Sequence, residues 1–249
     1  MNGVKVFTNG PILTIQLDNP PVNAISAQVL DGLETALREA RADPAVRGVL
    51  ITGSDQIFAA GADIPSFLSQ GLTPQQAIRR GVEVFAAVES FPKPVVAAIL
   101  GHCLGGGLEL ALAADLRVGD PDVRLGQPEV RLGIIPGWNG TMRLPRLIGQ
   151  SRAAEIVLTA SPIDGSRAYA IGLLNRLAPA NEVWATAENL LREVIANSPA
   201  AIAEAKALLR RSFEPDAGER EQEAVVRLMA GADAAEGVTA FLERRRPRF

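Results

Sequence analysis

Residues 93–118 read KPVVAAILGHCLGGGLELALAADLRV, and this stretch decides the fold. Residues 95–100 are an unbroken apolar run bounded by Pro94 and Gly101, which predicts a strand buried on both faces. Three successive glycines, Gly105, Gly106 and Gly107, then open a helix over 108–114 that is apolar on every side and therefore interior. A short strand near 116–118 follows. Strand, helix and strand in such quick succession imply parallel strands joined by right-handed crossovers. The glycines bring bare backbone close to another group and expose the N–H groups of a helix N-terminus, which attract negative charge. The alternative is a tight strand–helix crossing that only Gly permits. Leu110 stands where G-x-G-x-x-G needs its third Gly, so a dinucleotide fold is disfavoured.

Working outward, residues 4–8 and 12–17 form two short strands with Asn9-Gly10 as a hairpin turn. Ser26 caps a helix with the apolar stripe Leu30, Leu33, Leu37 and Ala40, and Asp43-Pro44 ends it. A buried strand over 49–51 leads into a Gly/Ala-rich loop, 52–67. Thr73 and Pro74 start a helix with Ala77, Ile78, Val82, Phe85 and Ala86 inward, and Pro92-Lys93-Pro94 breaks it. Another strand lies near 123–125. From Ser151 onward the chain is almost all helical, with 173–177 extended. The expected organisation is an α/β core over residues 1–195, with a helical C-terminal part over 196–249 packed on it or used for assembly.

Composition narrows the function. The chain has 249 residues, 47% hydrophobic and 21% charged, which is a globular composition. The net charge of −3 provides no basic field to recruit nucleic acid or an anionic membrane. The single cysteine, Cys103, excludes an intrachain disulfide and multi-cysteine metal sites, and the single histidine, His102, excludes sites needing two imidazoles. The N-terminus has no signal-peptide pattern and the longest apolar run is too short to span a bilayer, so a cytoplasmic location is expected.

Two carboxylates carry the chemistry. Glu109 sits in the all-apolar helix, where an ionised carboxylate needs a partner or a function and where burial raises its pKa toward neutrality. The alternative is a buried ion pair with Arg117 or Arg143. Glu129, in LGQPEVRLGIIPG (125–137), is surrounded by apolar residues and glycines and is alternatively a surface carboxylate. The stretch 58–64, FAAGADI, follows a buried strand at the sheet edge where α/β folds bind ligands. Its alternative is a plain turn with Asp63 as a helix cap. His102 and Cys103 are adjacent and point apart on an extended segment, so both read as structural. The basic run 244–248 is a solvated tail or a phosphate contact.

Five stretches in order resemble the crotonase family, the enoyl-CoA hydratases and isomerases: NPPVNAIS (19–26), ITGSDQIFAAGADI (51–64), KPVVAAILGHCLGGGLELALAADLRV (93–118), LGQPEVRLGIIPG (125–137) and AEGVTAFLERRRPRF (235–249). The resemblance implies an α/β, crotonase-like spiral of ββα turns with a helical C-terminal trimerisation region, assembled as a homotrimer or hexamer. It implies an acyl-CoA thioester substrate and no cofactor beyond the CoA that the substrate carries. The family's oxyanion hole of two backbone N–H groups maps to Ala62 and Gly106, and its glutamate pair to Glu109 and Glu129. Asn23, Ala24, Ala60, Asp63 and Ile64 map to the CoA groove, and Gly137 to the catalytic water site.

Hydration of a 2-enoyl-CoA is the activity this resemblance favours. A Δ3,Δ2-enoyl-CoA isomerase or another family activity such as a hydrolase is the alternative, and a non-catalytic acyl-CoA-binding or assembly protein a second. Two departures stand out. Trp138-Asn139 follow Gly137 where the family usually has small residues, and Pro65 follows GADI where a basic residue is common. The Trp138 indole either reshapes the acyl pocket or turns outward onto the surface.

Overall fold

The computed structural model describes residues 3–69 and 71–249. Strands β1 (Gly3–Asn9) and β2 (Ile12–Asp18) form the expected hairpin, but Asn9 is paired to Ile12, so the turn is Gly10-Pro11 and not Asn9-Gly10. Helix α1 (Ala27–Ala42) starts where Ser26 Oγ accepts from Val29 N, and its stripe Leu30, Leu33, Leu37 and Ala40 is buried. Then come β3 (Gly48–Thr52), β4 (Ile57–Ala59), α2 (Ile64–Ser69) and α3 (Pro74–Glu89). A reciprocal Thr73–Gln76 capping box begins α3. The next elements are β5 (Val95–Ile99), β6 (His102–Leu104), α4 (Gly106–Ala113), β7 (Leu116–Gly119), β8 (Arg124–Gly126), α5 (Gly140–Ile148), α6 (Gln150–Thr159), α7 (Gly165–Ala170) and β9 (Arg176–Leu177). Helices α8 (Val183–Ile195), α9 (Pro199–Arg210), α10 (Ala217–Met229) and α11 (Ala232–Leu242) complete the chain.

The expected α/β spiral is present. Six strands, ordered β1-β2-β3-β5-β7-β9, make one sheet, parallel except for the hairpin, and β4-β6-β8 make a second, parallel sheet. Each turn of the chain contributes one strand to the large sheet, one to the small sheet, and then helix: β3-β4-α2-α3, β5-β6-α4, β7-β8-α5.

Both faces of the large sheet are covered, which explains the unbroken apolar runs. Val49, Ile51, Val95, Ala97 and Ile99 face the main core with α1, α3 and α4. Leu50, Val96 and Ala98 alternate to the other face, against Val183, Ala187, Leu190 and Leu191 of α8.

Two local expectations are corrected. The 52–67 loop contains β4 and the start of α2. Ile78 is half-exposed, because Gly81, Val84, Phe85 and Val88 form the buried stripe of α3 and Ile78 lies before that stripe, beside Gly137. The helices after residue 198 bury little of their own surface, with Lys206, Ala224 and Ala240 their buried members.

Candidate active site

The site lies where the small sheet delivers the chain into α4. Loop 22–25 and loop 60–63 are zipped together: Ala60 N donates to Val22 O at 3.1 Å, Ile25 N to Gly61 O at 2.7 Å, and Asp63 N to Ile25 O at 3.0 Å. This alignment leaves the Ala62 N–H without a protein acceptor among the described residues. Gly106 opens α4, so its N–H has no intrahelical partner either. A β-carbon on Gly106 would sit 3.3 Å from Ala62 N, which makes the two donors neighbours. The glycine triplet therefore serves both readings. Gly105 has φ +51 and Gly107 packs where a β-carbon would meet Ala59 O at 2.3 Å, while Gly106 presents a free N–H at the positive end of α4.

Glu109, one turn into α4, is 2% exposed. Its partner is neither expected arginine. Oε1 accepts from Trp138 N at 2.7 Å and from Gly140 N at 2.8 Å, so the carboxylate sits at the N-terminal end of α5. Arg117 instead lies at the opposite end of α4, donating to the carbonyls of Ala111, Ala114 and Leu173. Arg143 pairs with Glu89 at 2.7 Å and donates to Trp138 O. Burial drives the Glu109 pKa from the ordinary 4.5 up to about 7, against the pull of the two N–H groups.

Glu129 opens a 3-10 turn behind Pro128 and is 9% exposed. Its Oε1 lies 2.8 Å from where a β-carbon on Gly105 would be, and burial pushes its pKa up as well. The charge of Glu129 raises the pKa of Glu109, so the two carboxylates lie within electrostatic reach of each other.

Gln127, fully buried, joins them. With its amide turned so that the nitrogen faces Glu129, the orientation that satisfies both ends, it donates to both Glu129 oxygens at 3.0 and 3.1 Å. The other end of that amide and Glu109 Oε1 flank Gly140, within 2.7 and 2.9 Å of its β-carbon position. Sequence reasoning passed over this residue. The available signal was an amide in an apolar stretch two residues before Glu129, where burial demands a hydrogen-bond partner.

The other expected residues divide by exposure. Ala60, Ala62, Ile64 and Gly137 are open to solvent, and Ala24 is half-buried. The Asn23 side chain is consumed internally, accepting from Asn19 N and donating to Ile57 O, so it holds the loop in shape. Asp63 accepts from Ser66 N and caps α2, as its alternative reading had it. His102 is exposed, while Cys103 is buried with its thiol pKa pushed up by burial. Trp138 turns inward and is 4% exposed. Arg245 is tied to Glu236 and Glu243 within its own chain.

The sequence matches the family described as enoyl-CoA hydratase/isomerase over residues 8–249. It is 38% identical to a probable enoyl-CoA hydratase of Bacillus subtilis, covering 100% of this chain and 99% of that protein. It is 37% identical to a crotonyl-CoA hydratase of Syntrophomonas wolfei, covering 92% and 90%. The fold superposes on a crystal structure of an enoyl-CoA hydratase from Bacillus anthracis with a TM-score of 0.92 at 32% identity, covering 100% and 99%. The chain belongs to the enoyl-CoA hydratase/isomerase family.

Proposed function

We propose that this chain is an enoyl-CoA hydratase, a hydro-lyase that adds water across the double bond of a 2-enoyl-CoA thioester. The observation that carries this reading is Glu109, a buried carboxylate held by the Trp138 and Gly140 N–H groups, whose pKa burial pushes up to about 7, which suits proton transfer, and which feels the charge of Glu129. In this reading the thioester oxygen accepts from the Ala62 and Gly106 N–H groups. Glu109 takes a proton from water as the water oxygen bonds to C3, and the π electrons move onto the thioester oxygen as an enolate. One well-aimed N–H donor is worth on the order of 10²–10³ in rate. Glu129 then delivers a proton to C2, the enolate collapses, and a proton passed back from Glu109 restores the pair.

The chemistry asks for no cofactor beyond the CoA of the substrate, since two carboxylates and two N–H donors account for every proton and charge. The CoA moiety is assigned to the open groove formed by Ala24, Ala60, Asp63 and Ile64, with Asn23 shaping its wall and Gly137 beside the water. An isomerase moves one proton between carbons and has no use for a second buried carboxylate, so the Glu109 environment favours hydration.

Assembly is part of the same reading. Leu209, Phe213, Val226, Met229, Phe241 and Leu242 on and around α9–α11 are each 69–81% exposed, which favours a homotrimer or hexamer that covers them. Among the described residues no helix is long and apolar enough to cross a membrane. The direct test is loss of enone absorbance when crotonyl-CoA is added; no loss with any 2-enoyl-CoA would reject the hydratase assignment. Light scattering that shows a stable monomer at micromolar concentration would reject the assembly.

A further inference from the structure

We propose that the indole of Trp138 closes the acyl pocket just beyond C4 and makes this a short-chain enzyme; the inference rests on the hydratase reading above. The backbone and the ring of residue 138 have separate jobs. Its N–H donates to Glu109 Oε1 at 2.7 Å, so residue 138 stands beside the carboxylate that activates water at C3. An acyl chain continuing past C3 therefore begins its path alongside residue 138. The ring lies across that path. A β-carbon on Gly106 would meet Trp138 Cζ3 at 2.5 Å and Ala62 N at 3.3 Å, so the benzo edge of the indole borders the two oxyanion donors.

The ring is also fixed. Phe67 and Phe85 meet it edge-on with centroids 6.1 and 5.2 Å away. Gly81 on α3 is so close that a β-carbon there would lie 2.2 Å from Trp138 Nε1. An indole wedged between α3, α4 and two phenyl rings cannot swing aside for a longer chain, because interiors packed at this density do not yield a methylene's width cheaply. C2 to C4 of the substrate need only the space between the carboxylates, whereas each further methylene needs the volume the ring occupies.

The test is kcat/KM for 2-enoyl-CoA thioesters of four, six, eight and ten carbons, with wild type, Trp138→Ala and Trp138→Phe. Wild type is expected to prefer crotonyl-CoA and to fall steeply beyond six carbons. Trp138→Ala should raise the eight-carbon to four-carbon ratio at least about tenfold, since a buried methylene contributes roughly fourfold. Trp138→Phe, which keeps most of the packing, should fall between the two. A ring that serves only the core would lower Tm and depress all chain lengths alike. A ratio unchanged in both variants, or a wild type that hydrates ten-carbon thioesters as well as crotonyl-CoA, overturns the proposal. A wild type that hydrates none of the series rejects the hydratase reading instead.

Discussion

Replacing Glu109 with Gln should make the protein more stable and nearly inactive. The magnitude follows from its burial. In the unfolded chain the carboxyl titrates near 4.5, and in the fold at about 7. Below 4.5 both states hold the proton and no difference arises. Between 4.5 and 7 the folded state binds the proton more tightly, so stability falls as pH rises, and above 7 the full cost of the buried charge is present. At about 1.4 kcal/mol per pH unit that cost is about 3 kcal/mol. A Gln at this position keeps an Oε1 able to accept from Trp138 N and Gly140 N but carries no charge. For a chain of this length the gain corresponds to a rise in Tm on the order of 5–10 °C at pH 8. The assay is thermal unfolding of wild type and Glu109→Gln at matched concentration, at pH 8 and near pH 4.5, alongside crotonyl-CoA turnover. A variant no more stable than wild type at pH 8, or a stability difference that does not change with pH, would refute the reasoning.

The same ionisation should appear in the kinetics: kcat/KM for hydration should drop about tenfold per pH unit below 7, as Glu109 takes up the proton that disables it as a base, and a flat profile down to pH 5 would contradict this. Gln127→Leu removes the amide donor from both Glu129 oxygens, and kcat should fall on the order of tenfold with the pH profile displaced upward; an unaltered profile would reduce Gln127 to packing. Gly106→Ala places a β-carbon 2.5 Å from the Trp138 ring and 3.3 Å from Ala62 N, so both Tm and kcat should fall, and a variant with wild-type kcat would mean that these donors do not hold the oxyanion.

The sequence carried some of this plainly and other parts not at all. The large sheet was legible because its strands are buried on both faces and read as continuous apolar runs, as in VVAAI of β5. Of the small sheet only β8 was legible, as the strand near 123–125; β4 and β6 are three residues each, too short for any period to register. Ser26, Thr73 and Asp43 marked helix ends because capping is local chemistry. Ile78 misled because it keeps the spacing of the buried stripe of α3, three residues before Gly81 and seven before Phe85, yet lies in the first turns of the helix where its neighbour is the exposed Gly137.

At the site, the burial of Glu109 followed from the all-round apolar helix, and its raised pKa with it. Its partners did not follow, because two backbone N–H groups from the 138–140 turn leave no mark in a side-chain pattern. The two arginines expected as partners, Arg117 and Arg143, are engaged elsewhere. Gln127 escaped for a related reason: an amide reads as a loop residue until the fold buries it between two carboxylates.

The central claim is that two glutamates act together in adding water. The measurement that tests it most directly is hydration of crotonyl-CoA beside isomerisation of a 3-enoyl-CoA, for wild type, Glu109→Gln and Glu129→Gln. Each substitution should lower hydration by on the order of 10²–10⁴, and the double variant should lose little more, because the pair works as a unit. Isomerisation, if present, should depend on Glu129 alone. Hydration left intact in Glu109→Gln would contradict the account.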